Sequence, residues 1–230
     1  MEVFVAYSSD KTEIHPKCSH IVYLSVFQED KEDGSHCNEQ IIAVYPKLAQ
    51  ELVECALEKN YIGMLKDHKQ FKRDVSMFVE DKVDTKFDFC GIGADDIPFL
   101  IKVFNVPFAD YADLPIKDRK KKDFSRKNKD SKIALYPNFN VHKSLIDAET
   151  MKCIQDMTTI KRESVIRCII CYVVQRTDTD RFQPSAQDEG YRMALRQAIE
   201  AGIILMPMMV SWTRDGKAYF IRDDLPVIKF

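Results

Sequence analysis

Apolar positions along this chain follow two rhythms. In "RDVSMFVED" (73–81) Val75, Met77 and Val79 recur at every second residue, which predicts a strand with one buried face. In "PKLAQELVECALEKN" (46–60) Leu48, Leu52, Val53, Ala56 and Leu57 recur at three and four, which predicts a helix. Pro46 suits its first position and Asn60 its end. The same spacing predicts a helix over "SLIDAETMKCIQDM" (144–157), with Leu145, Ala148, Met151, Ile154 and Met157 inward. A further helix over "DEGYRMALRQAIEAG" (188–202) stops at Gly202. Two runs are continuously apolar, "VIRCIICYVV" (165–174) and "IILMPMMVSW" (203–212), and read as strands buried on both faces. Pro207 predicts a bulge or an edge within the second.

Shorter signals fill the rest. "IVYLSVF" (21–27) is a strand in an otherwise irregular segment 1–36, and "QEDKEDGSH" is a polar turn. "KFDFCGIGADDIPFLIKVFNV" (86–106) reads as strand, turn and strand, "KIALYPN" as a short strand, and "DGKAYFIRDDLPVIKF" as a turn and strand. The polar stretch 107–132 is predicted as a surface loop, and loops of that length tend to be functional or disordered. Strands alternating with helices predict an α/β fold with a mixed β-sheet flanked by helices. The unit 165–212 should form a right-handed parallel crossover. There is no internal repeat.

Composition narrows the class. Of 230 residues 45% are hydrophobic and 30% charged, as in a soluble domain with a real core. The net charge of −2 makes the whole chain no polycation, but its distribution is uneven. Residues 117–132 ("KDRKKKDFSRKNKDSK") hold nine basic and three acidic side chains, so they carry +6 and the remainder −8. Such a patch can meet a phosphate backbone, or serve as a solvated loop or a localisation signal. Seven cysteines, an odd number mostly set in apolar runs, predict reduced, buried thiols in an intracellular protein, cytoplasmic or nuclear. The N-terminus has no basic-plus-apolar leader, and no apolar run reaches the roughly 18 residues of a membrane span.

The chemistry concentrates in 86–106. Asp88 lies on one predicted strand and Lys102 on the next, as in the active sites of one class of metal-dependent nucleases. That class sets a second carboxylate two residues before the lysine, and here that residue is Leu100. Asp88 alone binds Mg²⁺ weakly, since Mg²⁺ gives up its waters reluctantly. Glu54, Asp74, Glu80, Asp95 and Asp96 are the carboxylates able to assist. The bland reading is a cross-strand salt bridge. Cys18, His20, His36 and Cys37 have zinc-ligand chemistry, but their spacing matches no common finger. His68 and His142 lack partners for nucleophilic catalysis, and "GIG" is too short to cradle a phosphate.

The run "CYVVQRTDTDRFQPSAQDEGYRMALRQAIEAGIILMPMMVSW" resembles the C-terminal part of the sugar fermentation stimulation (SfsA) family. The resemblance rests on Val173, Val174, Gln175 and Arg176, on Asp178 or Asp180, on Phe182 and Pro184, and on Ala198, Ala201 and Gly202. Upstream, "VYPKLAQELVECAL", "KRDVSMFVEDKVDTKFDFCG", "PFLIKVFNV" and "IALYPN" are similar to family segments in the same order, so that about 40–213 is covered. The resemblance implies a restriction-endonuclease-like PD-(D/E)XK core preceded by an OB-like β-barrel that binds nucleic acid. The residues before the first matched helix are too few for a complete barrel. Leu100 replaces the family's Glu, Thr85–Phe89 lacks its arginine, 141–145 keeps none of its motif, and the basic insertion has no counterpart.

The expectations are therefore specific. A short N-terminal segment, 1–36, precedes an SfsA-like nuclease-type domain, 37–230, with a basic loop insertion at 107–132. Asp88, Lys102 and Gln175 face the ancestral catalytic cleft, with Asp88 as a weak metal ligand. Lys117, Arg119, Lys120, Lys121, Lys122, Arg126 and Lys127 contact phosphates. The role is nucleic-acid binding or scaffolding on a degenerate nuclease domain. The alternatives are an active Mg²⁺- or Mn²⁺-dependent nuclease with a relocated carboxylate, and a protein–protein module. No cofactor is expected without activity. DNA, RNA and a protein complex are the partners kept open, and a membrane is not.

Overall fold

The computed structural model describes residues 3–7, 20–28, 39–79, 83–122, 131–137 and 146–230. Its centre is a sheet of six strands in the order β12-β11-β9-β6-β5-β4. These are β4 (Gln70–Val79), β5 (Val83–Ile92), β6 (Pro98–Val106), β9 (Arg167–Val174), β11 (Ile204–Trp212) and β12 (Ala218–Arg222). β4, β5 and β6 form an antiparallel meander, whereas β6, β9 and β11 run parallel. The strands expected from 73, 86, 98, 165 and 203 thus share one mixed sheet.

Helix α1 (Lys47–Glu58) covers one face, packing Val53 and Leu57 with Phe89, Ile101, Val103 and Met208. Helices α3 (Ala148–Glu163) and α4 (Glu189–Glu200) cover the other, where Phe87, Leu100, Phe104 and Tyr172 meet Ile154, Met157 and Leu195. A fully buried large apolar side chain stabilises the fold by about 1.5–3 kcal/mol, so these two layers fix the sheet between the helices.

Several expectations shift. Pro46 sits at the cap rather than inside α1. The helix expected over 144–157 starts at Ala148, where Asp147 caps the Thr150 N–H, and runs on to Glu163. Its last turns look polar in sequence, yet Thr158 is buried with its hydroxyl donating to the Ile154 carbonyl at 2.7 Å. Ser144 and Leu145 lie outside the described residues. Pro207 does not put β11 on the sheet edge. It falls where β11 pairs β9, before the pairing with β12 begins at Met209, so no ladder bond to β12 is lost.

The segment read as irregular apart from 21–27 carries two strands, β1 (Val3–Tyr7) and β2 (His20–Phe27). With β3 (Gln40–Ala43) they make a separate three-stranded antiparallel sheet. Leu24, Val26, Ile41 and Ala43 pack its inner face on Leu48 and Trp212. The stretch expected as a loop holds β7 (Ala109–Asp110) and α2 (Ile116–Arg119); β7 joins β8 (Lys132–Tyr136) and β10 (Thr179–Pro184) in a third sheet. Among the described residues no helix is long and apolar enough to cross a membrane.

Candidate functional site

The β5–β6 ladder runs from Ile92↔Pro98 to Phe89↔Ile101 and stops there. One residue further, β5 parts from β6, and Asp88 sits in the opening, 6% exposed. The β4–β5 register also skips this level, between Arg73↔Phe89 and Val75↔Phe87. Asp74, in the gap on β4, takes φ of 57°, a left-handed value tolerated by Asp. The distortion leaves the Val103 N–H without a strand partner, and Asp88 supplies one: Oδ2 accepts that N–H at 2.6 Å. Its Oδ1 accepts the Gln50 Nε2 amide of α1 at 2.6 Å. Lys102 Nζ stands 3.5 Å from Oδ2, so the two residues paired in the sequence reading do meet.

The surrounding carboxylates are already committed. Arg73 binds Glu54 at 2.6 Å and reaches Gln50 Oε1 at 3.4 Å. Lys86 holds Asp74 at 2.8 Å, and its hydrogen bond is the main cause that keeps the Asp74 carboxyl below its ordinary range. Asp95 and Asp96 lie at the hairpin turn, at the other end of the β5–β6 ladder, paired with Arg167 and Lys69. Glu80 lies outside the described residues.

Leu100 shares the face of Lys102 but is 2% exposed, packed in the core with Phe87. It also borders an apolar cavity of about 310 Å³ lined by Met77, Cys90 and Ile166. Lys102 lines a neighbouring polar cavity of about 290 Å³ with Thr85, Lys86, Glu149, Lys152 and Cys153. Cys153 is no nucleophile there, because burial pushes its thiol up to about 12. Burial likewise raises Cys168, to about 11, and Cys171. All five cysteines described are free, in keeping with reduced thiols; Cys18 and Cys37 lie outside the described residues.

A Mg²⁺ or Mn²⁺ site of the nuclease kind needs converging hard oxygens. The residues present do not fit one. Both Asp88 oxygens accept from protein donors, a leucine fills the second position, and the described residues contain no group of three His, Cys, Asp or Glu side chains placed to hold a metal.

Gln175 is fully buried just past β9. Its Nε2 donates to Asn105 Oδ1 at 2.8 Å, and its Oε1 accepts the Trp212 indole N–H at 2.6 Å. Asn105 in turn donates to the Ala43 carbonyl at 3.1 Å, so these bonds reach the N-terminal sheet. Of the basic segment, Lys117, Lys120, Lys121 and Lys122 are exposed, while Arg119 binds both oxygens of Asp110 and Lys121 pairs with Asp118. Arg126, Lys127, His36 and His142 lie outside the described residues, as does the side chain of His20. His68 faces the Leu65 carbonyl at 3.1 Å and the rings of Phe71 and Phe99.

The sequence reading missed two groups. Gln50 and Arg73 complete the Asp88 network, and the only local hint was Gln50 and Glu54, four apart on one face of α1. The second group joins distant segments: Arg176 and Lys132 both pair with Asp178, and both lie over the Phe27 ring, at 4.7 and 4.8 Å.

Two comparisons bear on this arrangement. Residues 140–216 match the family model described as the sugar fermentation stimulation protein RE domain. The solved structure of Pyrococcus furiosus SfsA in complex with Ca²⁺ is similar with a TM-score of 0.66 and 14% identity, covering 94% of this chain and 75% of that one. At that identity the likeness speaks for the fold. No curated protein matches the chain. The family-model match thus spans the C-terminal third of the chain, and the fold of the Pyrococcus SfsA structure is shared across most of it.

Proposed function

We propose that this protein binds nucleic acid through a nuclease-like SfsA domain whose metal site is degenerate, and that it does not cleave. The observation that carries the reading is the state of Asp88. It stands beside Lys102, as the resemblance to a nuclease site expects, yet its oxygens are taken by Gln50 and the Val103 N–H, and Leu100, at the position where the resemblance expects a carboxylate, is buried. The similar Pyrococcus protein was solved with Ca²⁺; the donors of this chain do not favour a cation at Asp88. Exposed Lys117, Lys120 and Lys122 support phosphate contact, with Lys121 beside them.

The test is binding and cleavage of labelled DNA and RNA, with EDTA and with Mg²⁺ or Mn²⁺. Binding should be equal in both, without cleavage. Reversing Lys120, Lys121 and Lys122 to Glu should weaken binding and flatten its salt dependence, since each phosphate contact contributes to that slope. Cleavage that EDTA abolishes and Asp88→Ala removes would establish an active nuclease instead. Absence of any nucleic-acid binding would leave a protein–protein role.

A further inference from the structure

The three parallel strands β6, β9 and β11 end at one edge of the sheet, the end at which open α/β sheets bind ligands. Here that edge is roofed by the N-terminal sheet, and between them lies a cleft of about 630 Å³ lined by Ser25, Phe27, Ile42, Phe108 and Arg214 among others. The volume falls within the roughly 300–1,000 Å³ of small-ligand sites. It is separate from the Asp88–Lys102 opening, sharing no lining residue with the cavity beside Lys102.

We propose that this cleft binds single-stranded nucleic acid, stacking a base on Phe27 and Phe108. Phe27 is 37% exposed although it carries two cations over its ring, which hold it at the cleft wall. Phe108 lines the same cleft from the loop after β6, two residues before Asp110. Asp110 holds both arms of Arg119, so the exposed lysines of the basic segment are rooted beside the cleft. Phosphates can follow those lysines while a base enters the cleft. A ring and a basic track together suit an unpaired strand, whose bases are free to stack; in a duplex they are not. Glu39 faces the same space, but Arg214 neutralises it by binding both of its oxygens. The inference rests on the nucleic-acid reading above and adds the site and the strandedness.

The experiment uses the full chain and fluorescein-labelled oligo-dT and oligo-rU of about a dozen nucleotides, within the range one such groove covers, beside a duplex of equal length. Phe27→Leu and Phe108→Leu keep apolar bulk and remove the rings; each should lower single-strand affinity about tenfold, the low end of what one stacked base contributes. Ser25→Glu, which adds a charge to the cleft, should also weaken binding. Lys69→Ala, at the hairpin end of the sheet, should not. Thermal melts establish that each variant folds, and Ser25→Glu decides the matter if a ring variant does not. Single-strand binding indifferent to these changes, or equal duplex binding with the same indifference, overturns the cleft and leaves the nucleic-acid reading standing. Wild type that binds no nucleic acid overturns both.

Discussion

Asp88 and Asp178 are both carboxylates with cationic neighbours, and the fold treats them in opposite ways. Asp178 is gripped by charge: Arg176 donates to its two oxygens at 2.8 and 2.5 Å, and Lys132 adds a third bond at 3.2 Å. Asp88 is held by neutral donors, an amide and a backbone N–H, with its one cation 3.5 Å away. The first arrangement closes a seam, clamping Phe27 of the N-terminal sheet against the body. The second fills a defect between strands and leaves Lys102 aimed into a polar cavity. An acid–lysine pair in sequence therefore does not tell a working site from a structural one; the partners of the acid do.

The sharpest way to break the comparison is Asp178→Ala. It removes the carboxylate that bridges two cations that are 5% and 7% exposed, and should cost about 3–5 kcal/mol in urea unfolding. The pH dependence has a definite sign. Burial raises the Asp178 carboxyl, but Arg176 and Lys132 outweigh it and hold it below its ordinary range. A carboxyl depressed in the folded state contributes stability that is full above its unfolded value and lost as pH falls through the folded one. The gap between wild type and Asp178→Asn should be constant above about pH 4 and close below it.

Next in size is Leu100→Glu. It exchanges buried leucine for a carboxylate with no donor, and should cost about 3 kcal/mol. If Leu100 holds the place of the lost ligand, Mn²⁺ should recover part of this by mass action, about 2.7 kcal/mol at a hundredfold excess over Kd. Melting curves with and without Mn²⁺ read both effects, and a variant indifferent to Mn²⁺ would separate Leu100 from the Asp88 opening.

Asp88→Ala should follow, at about 1–3 kcal/mol, because it orphans the Val103 N–H. Asp88→Asn, which still accepts one bond, should cost less. A variant more stable than wild type would instead mark Asp88 as a strained functional group. Smallest is Glu39→Gln, which loosens the exposed pair with Arg214 by less than about 1 kcal/mol and should leave urea midpoints almost unmoved.

Much of this was legible, and the reasons are local. "VIRCIICYVV" could only be a strand buried on both faces, and Asp88 and Lys102 were bound to approach because a five-residue turn, 93–97, joins their strands. Leu100 was legible as a missing carboxylate because strand parity fixes its face. The length of α3 was hidden by Thr158, whose polar atom is satisfied within the helix. The partners of Asp88 were hidden because Gln50 is 38 residues away. Nothing in "IVYLSVF" announces that Phe27 will meet Lys132 and Arg176, since only the folded seam joins them.

That seam carries its own reporter. The chain has a single tryptophan, and Trp212 sits where β11 ends, its indole bound to Gln175 and packed under the N-terminal sheet. Its fluorescence is therefore a local spectrum rather than an average over the molecule. If the small sheet parts from the body before the six-stranded sheet melts, the emission will shift red ahead of the loss of far-ultraviolet circular dichroism. Coincident transitions would mean that seam and body unfold as one cooperative unit.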